Sequence, residues 1–109
     1  METKYGPVSD IKFKNDMNSL GNRVYKLLPM KEELDENDYT STIDANIISI
    51  INEINSLIRI LPDDFYGCNL LFTVMRNLDS LLGECDHGKF RSKILKSRGL
   101  ISKVGENNV

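Results

Sequence analysis

The chain has 109 residues, 40% of them hydrophobic and 28% charged. That is the size and balance of one folded domain able to bury a core without disulfides or metals, and it excludes a disordered chain. The net charge of −2 hides an uneven distribution. Six basic residues and no acidic one lie between Lys89 and Lys103, while the rest of the chain holds eight basic and sixteen acidic residues.

No apolar run approaches the ~20 residues that span a bilayer. Met1 to Asp10 lacks the apolar core of a signal peptide. A cytoplasmic protein without membrane association is expected. Residues 1–109 read as a single helical domain, with 1–8 and 105–109 expected to fray.

Four helical patterns follow in chain order. The first starts at Ser9 or Asp10, either of which can cap it. Phe13, Met17, Leu20, Val24 and Leu27 recur at spacings of four and three and share one face, which Leu28 widens. Pro29 lacks the N–H that bonds back one turn, so it breaks or kinks this helix. The stretch Lys31 to Asp38, with Glu32, Glu33, Asp35, Glu36 and Asp38, reads as a solvated acidic turn.

The second helix carries Tyr39, Ile43, Ile47, Ile50, Ile51, Ile54, Leu57, Ile58 and Leu61 in an arc of about 120°. Isoleucines also suit strands, but Asp44, Asn46, Asn52, Glu53 and Asn55 fall opposite the stripe, and nothing alternates by two. Leu61 to Asp64 ends this helix at Pro62 and caps the next.

The third helix is expected from about Asp64 to Glu84. Leu71, Met75, Leu78 and Leu82 form one stripe, and Leu70, Val74 and Leu81 form a second beside it. So wide an apolar arc suits a helix central in its bundle, or one with a face in an oligomer interface. Gly67 weakens its first turn.

The fourth helix follows Cys85-Asp86-His87-Gly88 and ends before Gly105. Phe90, Ile94, Ile101 and Val104 form its buried stripe. Lys89, Lys93, Lys96 and Lys103 group on one flank, and Arg91 and Arg98 line the other. Connections this short favour antiparallel neighbours. The expected fold is all-α, a compact four-helix bundle whose first helix is broken or kinked by proline.

The chain offers little catalytic chemistry. Its single histidine lies in Cys85-Asp86-His87, where a Cys/His pair could act as nucleophile and base or as metal ligands. A structural zinc site wants four ligands, and Cys68 is the only other Cys or His. Asp86 reads more simply as the N-cap of the fourth helix. Cys68 and Cys85 at opposite ends of one helix would stand roughly 25 Å apart, far beyond the reach of a disulfide. The pairs Glu32/Glu33 and Asp63/Asp64 fall in connections, away from the apolar pocket a general acid needs. The seven glycines form no phosphate-binding pattern. No enzyme, cofactor or metal site is expected.

The basic helix is the one outward-pointing feature, and Lys89, Arg91, Lys93, Lys96, Arg98 and Lys103 are the candidate partner-binding residues. They can meet an acidic surface of a partner protein, neutralise nucleic-acid phosphates, or pack beside the acidic Glu32–Asp38 segment of the same chain. A pI near 5.4 is low for a nucleic-acid-binding domain, and the helix lacks a cluster of groups suited to base edges or stacking.

Two segments, RVYKLLPMKEE (Arg23–Glu33) and FRSKILKSRGLI (Phe90–Ile101), resemble small accessory proteins carried by phages and other mobile elements of low-GC Gram-positive bacteria. Eleven isoleucines, eleven asparagines and a single alanine agree with an AT-rich coding sequence. The resemblance implies a protein that binds and modulates host or phage machinery, inhibitors of bacterial defence systems among the roles. The expected function is therefore a non-enzymatic protein-binding or regulatory module, with a homodimer as a further option. The alternative is a nucleic-acid-binding regulator using the basic C-terminal helix.

Overall fold

Ser9 opens the first helix as its composition requires. Its hydroxyl accepts the Lys12 N–H at 3.0 Å, and its extended backbone turns the chain into α1, Asp10–Tyr25. The remaining helices are α2 (Leu27–Glu33), α3 (Glu36–Ile60), α4 (Gly67–Asp79) and α5 (His87–Glu106). This computed structural model describes residues 1–33 and 36–106; the side chains of residues 33–41 lie outside the description. The protein is an all-α four-helix bundle with a broken first helix. Among the described residues, no helix is long and apolar enough to cross a membrane.

The break falls at Lys26, three residues before Pro29. Its cause is still the proline. In a continuous helix the Pro29 nitrogen would face the carbonyl of Tyr25, with no hydrogen to donate and a ring that clashes. The helix therefore stops at Tyr25 and restarts at Leu27. Pro29 then lies in the first turn of α2, where a missing N–H costs nothing.

The segment Lys31 to Asp38, expected as a solvated turn, is helical at both its ends. Lys31 to Glu33 complete α2, and α3 has begun by Glu36. Leu34 and Asp35, the centre of the expected turn, lie outside the described residues.

The four long helices run up and down in antiparallel order. Arg23 of α1 ion-pairs with Glu53 of α3. The Asp44 carboxylate of α3 accepts the Gly83 N–H just beyond α4 at 3.2 Å. The Tyr66 hydroxyl before α4 donates to the Lys103 carbonyl of α5 at 3.2 Å. Gly21 and Gly105 bring α1 and α5 together, facing Ile101 and Met17 respectively. The core is continuous from Phe13, Met17, Leu20 and Val24, through Ile43, Ile47, Ile50 and Ile54, to Leu71, Val74, Leu78, Phe90, Ile94 and Ile101.

Three boundaries differ from the expected ones. The third helix begins at Gly67, because Pro62 to Tyr66 form turns in which Phe65 N–H bonds Pro62 and Cys68 N–H bonds Phe65, each at 3.0 Å. It ends at Asp79, and residues 80–83 form turns leading to Gly83 at φ +74. The last helix runs through Gly105, which is buried against Met17 and is not part of a frayed tail; residues 107–109 lie outside the description.

Residues 1–8, expected to fray, pair as a small hairpin, β1 (Glu2–Thr3) with β2 (Gly6–Pro7). Gly6, at φ +119, supplies a backbone that side-chain-bearing residues rarely adopt. The hairpin is tied to the bundle. Lys4 donates its N–H to the Ile60 carbonyl at 2.8 Å, one of the carbonyls a helix end leaves open, and its ammonium meets Asp63 at 2.8 Å.

Candidate functional site

The sequence Cys85-Asp86-His87 starts α5. The Asp86 carboxylate accepts the Lys89 N–H at 2.9 Å, as an N-cap does. That backbone hydrogen bond, chiefly, holds its pKa below the ordinary carboxylate value. Cys85 and His87 are exposed. Among the described residues, no group of three or more His, Cys, Asp or Glu comes together as a metal site. Of the paired carboxylates, Asp63 meets Lys4, Asp64 and Glu32 are exposed, and the Glu33 side chain lies outside the description.

From this cap, α5 buries Phe90, Ile94, Ser97, Ile101, Val104 and Gly105. The apolar four are those of the expected stripe. Ser97 and Gly105 complete the face, and at Gly105 an added side-chain carbon would stand 3.1 Å from the Met17 Cβ.

The six basic residues divide by what stands beside them. Arg98 is held within the chain: its guanidinium lies over the Tyr25 ring at the end of α1, 4.7 Å from the centroid. Arg91, on the same flank, is exposed. On the lysine flank, the Lys93 ammonium donates to the Ser80 hydroxyl beyond α4. Lys89 and Lys96 are exposed, and Lys96 and Lys103 border an open groove of about 450 Å³ between α4 and α5. Thr73, Asn77, Gly99 and the half-buried Leu100 line the rest of it. Among the described residues, Lys89, Arg91, Lys93, Lys96 and Arg98 make no ion pair with a carboxylate.

The expected pairing of this helix with the acidic Glu32–Asp38 segment falls largely outside the described side chains. What α2 does present to α5 is a cation. Lys31, only 5% exposed, places its ammonium 4.6 Å from the Phe90 ring centroid and donates to the Glu84 carbonyl at 2.7 Å.

A second groove, of about 700 Å³, lies on the other side of α4, against α3. Ile51, Phe72 and Met75 form its apolar part; Asn69, Thr73, Arg76 and Asp79 complete it. Phe72 and Ile48 are each 47% exposed. Both lie off the stripes that bury their helices. An apolar residue off the stripe is the one sequence signal that marks this surface.

No protein-family model, curated protein or solved structure matches this chain.

Proposed function

We propose that the protein is a non-enzymatic binding module that docks on another protein through the lysine flank of α5. The observation carrying this reading is that Lys89, Lys93, Lys96 and Lys103 lie along one flank, two of them at the rim of a groove containing Leu100. Charges of one sign steer an acidic surface toward the site and orient it, and the apolar groove gives the docked surface something to bury. The resemblance of Arg23–Glu33 and Phe90–Ile101 to phage accessory proteins makes host or phage machinery the class of partner, with inhibition of a bacterial defence system as one form of the activity.

The test compares wild type with Lys89→Glu/Lys96→Glu. Tagged wild type should recover a specific protein from a low-GC Gram-positive lysate at low salt. The variant should recover at least tenfold less while keeping its helical circular dichroism and melting temperature. Equal recovery by both proteins refutes the lysine flank as the contact. Gel shifts with DNA and RNA supply the other control. A complex weakening by about 0.9 log units per contacted phosphate for each tenfold rise in salt would replace this reading with nucleic-acid binding.

A further inference from the structure

We infer that the groove between α4 and α5 takes an acidic amphipathic helix of the partner protein, seated against the bare backbone at Gly99. The inference rests on the lysine-flank reading and adds to it the kind of element that docks.

Gly99 lies in the interior of α5, where only proline is a poorer helix former. Two needs within a chain ordinarily account for such a glycine: close packing, or a backbone that side-chain-bearing residues avoid. Neither applies here. A carbon added at Gly99 meets no atom within 4 Å, whereas one at Gly105 would crowd Met17. Gly99 also keeps a helical backbone; among the described residues, the glycines of positive φ are Gly6 and Gly83. A third use of glycine is to let a ligand approach the main chain closely. Gly99 is exposed and lines the groove, so the occupant of the groove is what it admits.

The other lining residues fix the chemistry of that occupant. Lys96 and Lys103 border the groove seven residues apart, two turns of α5 and about 10 Å along it. Gly99 and Leu100 fall between them, and Thr73 and Asn77, one turn apart on α4, form the opposite wall. Among the described residues, no acidic side chain lines the groove. Two cations at that spacing with an apolar middle match a helix laid alongside, carrying acidic residues at i and i+7 and apolar ones at i+3 and i+4. The missing side chain at Gly99 lets those apolar groups reach in beside Leu100. Nucleic acid suits the two charges but not the middle, since among the described residues no aromatic ring lines the groove for a base to stack on.

Fluorescence anisotropy with a synthetic peptide tests the inference. The probe is an alanine-based helix of about 15 residues, with glutamates at i and i+7 and leucines at i+3 and i+4. A scrambled peptide of the same composition is its control. Wild type should bind the probe at least tenfold more tightly than the scramble. Gly99→Gln keeps every lysine and favours the helix, so it should melt at or above the wild-type temperature yet bind the probe at least tenfold more weakly. A purely structural glycine would not separate those two readouts. Lys96→Glu/Lys103→Glu should lose the probe and bind instead a version with lysines at i and i+7. Arg91→Glu, on the other flank, should bind the probe as wild type does. A wild type that does not prefer the probe overturns the inference, and so does a Gly99→Gln that binds it equally well. An oligonucleotide that outcompetes the probe also overturns it, by seating nucleic acid in the groove. The pull-down with Lys89→Glu/Lys96→Glu is read separately. Partner recovery that depends on those lysines but not on Gly99 keeps the flank as the contact and removes the helix from the groove.

Discussion

The Lys31 ammonium sits 4.6 Å from the centroid of the Phe90 ring while donating to the Glu84 carbonyl at 2.7 Å. One lysine thus fastens α2 to the start of α5. Its aliphatic stem is buried with the core, and its charge faces a ring and a carbonyl that both favour a cation. Lys31→Met keeps most of the stem and removes the charge and the donor. It should lower unfolding stability by about 2 kcal/mol, the scale of one charged hydrogen bond plus a partly desolvated cation–π contact. Urea denaturation measures this, with Lys89→Met as the exposed control, expected within about 0.5 kcal/mol of wild type.

Two glycines of α5 should respond to alanine with opposite signs. At Gly99 an added methyl meets open space, so Gly99→Ala should gain about 1 kcal/mol from helix propensity alone. At Gly105 the methyl would stand 3.1 Å from the Met17 Cβ, an atom anchored to the α1 backbone. The helices must then part by a few tenths of an ångström, and overpacking of this kind costs about 1–3 kcal/mol. Gly105→Ala should lose about 1 kcal/mol net of the propensity gain. Thermal melts of the two variants in parallel check the contrast; a gain in both would mean that α1 and α5 separate at no cost.

Those glycines also show what the sequence makes legible. Phe13, Met17, Leu20 and Val24, and likewise Ile43, Ile47, Ile50 and Ile54, repeat at helical spacing, so burial and periodicity coincide and the bundle can be read directly. Gly105 leaves no such mark, because a small residue at a close approach resembles a small residue in a loop. Two-residue strands at Glu2–Thr3 and Gly6–Pro7 are too short to have a period. The helix break appears at Lys26 because Pro29 acts on the carbonyl four residues before it. The candidate site is legible as six basic residues in one helix, but not their division. That depends on Tyr25 and Ser80, which folding brings to Arg98 and Lys93 from other parts of the chain.

The two thiols should differ in reactivity. Cys68 is 8% exposed, its thiol points to the Pro62 carbonyl at 3.6 Å, and burial pushes its pKa up. Less thiolate and less access both slow its alkylation. Cys85 is exposed, and both cysteines are free. A thiol reagent at neutral pH should therefore label Cys85 rapidly in the native protein and Cys68 only when denaturant opens the fold. Cys85→Ser should abolish the fast phase. Equal labelling rates of both thiols in native buffer would contradict the burial of Cys68 under the Pro62 turn.

Asp86 gives the start of α5 a pH dependence of defined sign. Its carboxylate is stabilised first by the Lys89 N–H, then by the Gly88 N–H and the charges of Lys89 and His87, so its folded pKa lies below the ordinary 3.8. A carboxylate whose pKa is depressed on folding contributes its stability in full above the unfolded value and loses it as pH falls through the folded one. Asp86→Asn keeps a side-chain oxygen for the Lys89 N–H but does not titrate. At neutral pH the two proteins should melt at similar temperatures. Below pH 3.8 wild type should fall faster than Asp86→Asn, since the remaining carboxylates are common to both and cancel in the difference. Asp86→Ala lacks the cap at every pH and should melt lower than either at neutrality. Melting curves that stay parallel for wild type and Asp86→Asn down to acid pH would remove Asp86 from the acid sensitivity of the fold.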